Sequence, residues 1–466
     1  MQKIFDEVSS LDKKCYDKFS LSEDLLMEHA ALALKCEVNN KIKSYNSTIL
    51  IVCGVGNNGA DGLALARLLQ DEYLNIIVYT PFEVKSKMAK LQLERLKLLG
   101  VNTTNSLRKV FDIDCVVDSL FGSGLNKPLK KEAIDILEKI NSIEAYKIAC
   151  DIPSGVDNNG EIKNSAFKAD VTVTMGALKT SLLTDGAKEF TGIIKKANLG
   201  LSSSCYENQT DMYLLEQKDL KLPFRDNINT HKGNYGHACV VIGCKKGAGV
   251  IASSAAFSFG AGLVTAIVHE ELQLPYYIMQ SHNLPSNVTA IALGMGLGLY
   301  DKNELKKILN TNVAKVIDAD LFYEKLLLDY LNQEIVLTPH PKEFCSLLKL
   351  TKLADIDIDT LQSNRFKYVK LFCKKYPKVT LLLKGANVII SQNNKVYVNC
   401  LGTSALSKGG SGDVLSGLIV ALLAQGYSFL QSAINASLAH TLAAKNFKSN
   451  NYALNPEDLI EGIKNL

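Results

Sequence analysis

Short apolar, β-branched runs alternate with helical patterns along the first half of the chain. Residues 47–53 form the first run, a glycine-rich turn follows, and 61–70 has a helical pattern. Residues 75–80 read as a second strand and 85–99 as a helix with basic residues on its exposed face. Residues 113–117 and 146–150 are further runs, each followed by an acid, Asp118 and Asp151, and 171–175 is another. Strands separated by helical patterns predict an α/β fold with a parallel sheet and helices on both faces. From about 201 to 229 the rhythm breaks, with Ser202-Ser203-Ser204 and the polar residues 207–211 reading as a surface connector. A second α/β half follows, with strands expected at 237–242, 263–268, 313–317, 335–337 and 379–383, and a hairpin formed by 387–390 and 395–398 around Asn393-Asn394. The expected division is a first domain over 1–205, a linker over 206–220 and a second domain over 221–466.

Composition narrows this picture. The 466 residues are 47% hydrophobic and 21% charged, enough apolar material for a core in each half. A net charge of +4, from 52 basic and 48 acidic side chains, is too mild for a nucleic-acid binder, and no nucleic-acid partner is expected. The eleven cysteines include no C-x-x-C pair, and Cys53, Cys115, Cys150 and Cys239 fall in or at the ends of strand-like runs. Buried free thiols in a reducing cytoplasm are expected. The first residues show no apolar signal segment. The longest uncharged stretch, 250–268, has the length of a membrane span. Its Ser253, Ser254, Ser258, Gly260 and Gly262 read instead as a small-residue helix, a turn and a strand, so no membrane partner is expected.

The first candidate site begins at Gly54-Val55-Gly56-Asn57-Asn58-Gly59, a G-x-G-x-x-G loop between a strand and a helix. Such loops let backbone N–H groups approach a phosphate, although a plain strand-to-helix turn would read the same way. The second strand ends Tyr79-Thr80-Pro81, without the acid an ordinary dinucleotide dehydrogenase needs. Asp118-Ser119-Leu120-Phe121-Gly122-Ser123-Gly124 and Asp151-Ile152-Pro153-Ser154-Gly155 should meet the loop at the carboxyl edge of the sheet, where open α/β sheets bind ligands. Either Asp alone could be a turn or cap residue.

These segments, with Asn57-Asn58-Gly59-Ala60-Asp61-Gly62 and Met27-Glu28-His29-Ala30, resemble the NAD(P)H-hydrate epimerase domain. The resemblance implies a Rossmann-like three-layer fold and interconversion of the R and S C6-hydrates of NADH or NADPH. By position it implies hydrate contacts at Asn57, Asn58, Gly59, Ala60, Asp61, Gly122, Ser123, Gly124, Leu125, Asn126, Lys127, Pro128 and Asp151, with Asp151 catalytic. It implies a potassium ion at Asn58, Asp118 and Ser154. Ala60 departs from the family, which commonly has Gly there, and would be strained if that position needs positive φ.

The second candidate site is Lys408-Gly409-Gly410-Ser411-Gly412-Asp413, ahead of a strongly helical stretch over 414–424. Glycines and a helix N-terminus suit an anion. A carboxylate there repels phosphate, but makes sense as the base for a hydroxyl that attacks phosphorus. An acid in a first helical turn is also ordinary capping. His340, held between Pro339 and Pro341, Lys384 at a strand end, and Gly294-Met295-Gly296-Leu297-Gly298 each follow an apolar run, and no Walker pattern is present. With Lys232-Gly233-Asn234-Tyr235-Gly236-His237 and Gly260-Ala261-Gly262-Leu263-Val264, these motifs resemble the ribokinase-like NAD(P)H-hydrate dehydratase domain.

That resemblance implies S-hydrate contacts at Ala248, Gly296, His340 and Asp413, and nucleotide contacts at Lys384, Gly385, Ala386, Asn387, Val388 and Gly412. Asp413 would be catalytic, ADP the phosphoryl donor and magnesium the bridge between its phosphates, with NAD(P)H, AMP and phosphate as products. Asp318-Ala319-Asp320 also fits, but Leu321-Phe322 replaces the usual continuation, and no role follows for it. A homo-oligomer acting on NADHX, NADPHX and ADP is expected. Two rivals remain at this point: a ribokinase-like small-molecule kinase with a non-catalytic Rossmann-like binding domain, and a scaffold whose first domain has lost catalysis.

Overall fold

The structure is a computed structural model that describes residues 1–107, 112–125, 127–162 and 164–466. The chain forms two compact units, Lys3–Thr210 and Asp211–Leu466, the latter together with Met1 and Gln2.

In the first unit a seven-stranded sheet runs Thr103–Thr104, Asn75–Tyr79, Thr48–Cys53, Cys115–Ser119, Tyr146–Cys150, Val171–Met175, Ile193–Ala197. Every pairing is parallel. The chain enters at the third position, moves to one edge, then returns beside its start. The order therefore reverses between Thr48–Cys53 and Cys115–Ser119, the crevice where such sheets bind ligands. Strand residues are buried on both sides, as a parallel sheet with helices on both faces requires. Ile49, Ile51 and Cys53 pack in one cluster with Leu26, Met27 and Leu63. Leu50 and Val52 pack in the other with Leu137, Ile140 and Phe167. Met27-Glu28-His29-Ala30 lies on helix Glu23–Lys41, where Met27 and Ala30 are buried and Glu28 ion-pairs with Arg67 of helix Asn57–Leu69.

Two expectations need correction. The helix after the glycine loop is Asn57–Leu69, four residues earlier than the apolar period suggests, because its first turn is polar and faces the crevice. Asp118 does not follow its strand but lies within it, since Cys115–Ser119 pairs through Asp118 with both neighbours. Asp151 does follow Tyr146–Cys150 directly.

In the second unit the strands run Met279–Ser281, Leu263–Ile267, His237–Val241, Ala290–Leu293, Ala314–Ile317, Val336–Leu337, Thr380–Leu383, Val388–Gln392, Lys395–Asn399, Met212–Leu214. Only Val388–Gln392 runs against its neighbours. Gln392 and Lys395 close its hairpin, and Asn393 and Asn394 have φ of 49° and 63°, the two positive values of a type I′ turn. Residues 250–268 form the end of helix Lys246–Ser258, a turn with Gly260 at φ 95°, and strand Leu263–Ile267. Helices Lys246–Ser258 and Ser411–Ala424 pack together; a Cβ on Gly417 would lie 2.3 Å from the Ala252 carbonyl oxygen. No helix among the described residues is long and apolar enough to cross a membrane. All eleven cysteines are free thiols, and Cys53, Cys115, Cys150 and Cys239 are buried.

Candidate active sites

The glycine loop of the first unit uses its glycines differently. A Cβ on Gly54 would lie 1.7 Å from the Leu120 carbonyl oxygen, and one on Gly59 would lie 2.0 Å from that of Gly54. Both are packing glycines. A Cβ on Gly56 would meet nothing within 4 Å, so that position faces open space at the start of the helix. Ala60 sits within helix Asn57–Leu69, buried and outside the positive-φ residues, so it carries no strain.

The three predicted segments do meet. Gly54 N–H donates to the Ser119 carbonyl at 3.0 Å, and the Asn58 side chain lies against Gly122. Ser154 binds Asp118 twice: its hydroxyl donates to Oδ1 at 2.7 Å and its N–H to Oδ2 at 2.8 Å. The Ser154 hydroxyl also accepts from Phe121 N–H at 2.7 Å. Lys127 is exposed, and Asn126 lies outside the described residues.

Asp118 is fully buried, burial pushes its carboxyl up to about 6, and none of the described ion pairs includes it. The Asn58 amide nitrogen is buried without a hydrogen-bond partner. Rotating that amide would bring its oxygen there instead. A buried carboxylate, a hydroxyl and an amide suit a hard monovalent cation, so these residues fit the potassium ion the family resemblance implies.

Asp151 sits at φ 66°, rare for a residue with a side chain and a conformation that persists only when surroundings enforce it. Its Oδ1 accepts from Met175 N–H at 3.0 Å and from the ammonium of Lys179. Lys179 is 4% exposed and also donates to Thr174 Oγ1 at 2.9 Å. Sequence reasoning missed Lys179, a single charge after an apolar run with no motif around it. Asp61, on the helix facing Asp151, is pushed well above the usual carboxylate range by burial and by the Asp151 charge. The crevice thus brings together two carboxyl groups in different settings, Asp151 paired with Lys179 and Asp61 buried away from any lysine partner among the described ion pairs, an arrangement suited to acid–base chemistry.

In the second unit Gly410 has φ 89° and precedes helix Ser411–Ala424, which begins three residues earlier than its apolar run. Gly409 faces open space, and a Cβ on Gly412 would lie 3.5 Å from Lys384 Nζ. Buried His440 supports the turn, its Nε2 lying 2.9 Å from the Ser411 carbonyl oxygen, and burial pushes it down to about 4, so it is neutral. Asp413 is pushed up to about 6, first by burial, then by Asp318, against the opposing charge of Lys384.

Lys384 ion-pairs with Asp318 at 2.8 Å. The Lys384–Asn387 segment is braced by buried Arg365, which donates to the carbonyls of Asn387 at 2.8 Å and Lys384 at 3.0 Å. Lys384 N–H donates to the Pro339 carbonyl at 2.9 Å, joining this segment to His340. His340 is the cap of helix Pro341–Leu350: Nδ1 accepts from Lys342 N–H at 3.1 Å and Glu343 N–H at 3.3 Å. Its aim comes from capping as well as from the flanking prolines. Gly296 lies against Lys245 and Ala248, bringing the two loops together. A cavity of about 220 Å³ opens beside them, lined by Lys246, Val268, His269, Leu272 and Tyr300. Asp318 and Ser416 were not assigned from sequence, although Asp318 follows an apolar run just as Asp151 does.

A Rossmann-ordered unit with paired carboxylates, and an α/β unit with an acid at a glycine-bounded helix start, define an enzyme that handles nucleotides. Two family models match the chain: "YjeF-related protein N-terminus" over residues 23–181 and "NAD(P)H-hydrate dehydratase" over 238–465. The bifunctional NAD(P)H-hydrate repair enzyme of Helicobacter pylori is 45% identical across 100% of both chains. That of Coxiella burnetii is 34% identical across 85% of each. A solved ADP/ATP-dependent NAD(P)H-hydrate dehydratase from Bacillus subtilis is 22% identical, with a TM-score of 0.47, over 54% of this chain and 96% of that one. The chain belongs to the family of bifunctional NAD(P)H-hydrate repair enzymes.

Proposed function

We propose that the first unit interconverts the R and S hydrates of NADH and NADPH, and that the second dehydrates the S form with ADP. The observation that carries the second assignment is Asp413 in the first turn of helix Ser411–Ala424, with Lys384 beside Gly412. A simple phosphate cradle has no use for that carboxylate, whereas activation of a hydroxyl does.

In the first unit, C6 of the hydrate carries both the ring nitrogen and the hydroxyl, so its C–O bond breaks when the oxygen is protonated. Asp61 supplies that proton and Asp151 takes one back as oxygen returns on the other face. Hydrate contacts extend along Asn57, Asn58, Gly59 and Ala60 and through Gly122, Ser123, Gly124 and Leu125 to Lys127 and Pro128. Asp118, Ser154 and Asn58 would hold a potassium ion, which would supply positive charge at that end of the crevice. The protein residues hold the loop after Asp118 against the glycine loop.

In the second unit the hydrate lies against Ala248, Gly296 and His340. Asp413 accepts the proton of the C6 hydroxyl, whose oxygen attacks the terminal phosphorus of ADP, and AMP departs. The C6–O bond then breaks with phosphate as leaving group while C5 loses a proton, restoring the ring double bond. Lys384, Gly385, Ala386, Asn387, Val388 and Gly412 hold the nucleotide. Magnesium, where bound, would offset the charge of the nucleotide phosphates.

Replacing Asp413 by Ala should lower turnover about 10²–10⁴-fold while ADP binding by calorimetry persists. Normal turnover would remove Asp413 from the role of base.

A further inference from the structure

Asp318 is a buried carboxylate, 2% exposed, that the reaction above does not use. Its Oδ1 accepts from Lys384 Nζ at 2.8 Å and from Ala319 N–H at 2.9 Å. Its Oδ2 accepts from the Ser416 hydroxyl at 2.8 Å. Ser416 lies three residues beyond Asp413 on helix Ser411–Ala424, so the two share a face. One side chain therefore holds both the lysine beside the nucleotide segment and the helix that carries the base.

Two backbone features show that this residue is held firmly. Ala319 has φ 48°, a left-handed conformation unfavourable for a residue with a side chain, and its N–H is committed to Asp318. A Cβ on Gly294 would lie 1.9 Å from the Asp318 carbonyl oxygen, so the Gly294–Gly298 turn packs directly on it. Asp320 accepts from Gly298 N–H at 2.8 Å and fixes the far end of that turn.

We propose that Asp318 is a positioning residue of the dehydration site: it takes the ion pair of Lys384 and so leaves the Asp413 carboxylate free to accept a proton. This rests on the reading of Asp413 as the base. A direct ion pair with Lys384 would stabilise the ionised form of Asp413 and lower its basicity. Here the lysine is given to Asp318, which cannot leave its buried place, and Asp413 keeps its basicity. The charges that act on Asp413 are Asp318, which raises its carboxyl, and Lys384, which lowers it. The other titratable groups around the cluster are His340, Glu343 and Asp320, together with neutral His440 behind Ser411.

The test is the pH dependence of kcat/KM for S-hydrate dehydration, measured on the full chain with saturating ADP. Asp318→Asn should move the acid limb down by about one unit and lower the plateau, because Lys384 then acts on Asp413 unopposed. Lys384→Met should move the same limb upward, which keeps the test open if the Asn variant fails to fold. Asp318→Glu should return the limb toward the wild-type position. A limb that stays in place in both the Asn and Met variants would overturn the proposal, even if rates fall. Wild-type turnover by Asp413→Ala would instead overturn the base assignment beneath it.

Discussion

At the residue scale, the carboxylates differ by what surrounds them. Asp413, raised to about 6 by burial and Asp318, works as a base only when ionised. Dehydration kcat/KM should therefore be flat above about pH 6 and fall about tenfold per unit below it, as a pH–rate profile would show. Asp118 is buried without a described ion pair, and its surroundings fit a cation. Potassium should raise the melting midpoint of the wild type relative to choline at equal ionic strength, and Asp118→Asn should abolish that difference. An equal response in both would remove Asp118 from the ion site. The positions legible in the sequence were those carried by motif residues: Asp151 after its strand, Asp413 in the first turn of its helix, and Asp118 and Ser154, which the fold brings within 2.7 Å. Lys179 and Ser416 were not legible, because each gains its role from a residue 28 or 98 positions away. No local spacing reports such contacts.

At the element scale, the glycines separate packing from binding. Gly54→Ala should destabilise the first unit, since its Cβ would meet the Leu120 carbonyl at 1.7 Å. Gly56→Ala has open space and should leave the melting curve unchanged while raising the KM of epimerisation. Equal losses of stability would contradict this division. In the second unit Gly417→Val should cost about 1–3 kcal/mol or more in denaturant unfolding, because helix Lys246–Ser258 approaches too closely to admit it. The expected strands were read within a residue or two because buried parallel strands are continuous apolar runs, whereas Ile193–Ala197, Met212–Leu214 and Ala290–Leu293 were not among them. Helix starts were read late at Asn57 and Ser411, since a binding helix begins with polar residues and glycine, which the apolar period ignores. Asp118 was misplaced for a related reason: a charged residue inside a strand looks like its end.

At the scale of the whole molecule, each unit has its own core and its own buried carboxylate, Asp118 in the first and Asp318 in the second. The sheet order and the reversal between Thr48–Cys53 and Cys115–Ser119 were not readable from the strands alone, because strand order depends on contacts between distant segments. A dehydratase that takes one epimer strands the other, so an epimerase in the same chain completes the repair. That division of labour is the central claim, and one experiment addresses it. A mixture of R and S hydrates of NADH is incubated with ADP and either wild type, Asp151→Asn or Asp413→Ala, and both epimers and all products are followed by chromatography. The account predicts that wild type clears both epimers to NADH, AMP and phosphate in equal amounts. Asp151→Asn should consume S and leave R, while Asp413→Ala should exchange the epimers without forming NADH. Clearance of both epimers by Asp151→Asn at the wild-type rate, or a stable phosphorylated hydrate as the end product, would contradict it.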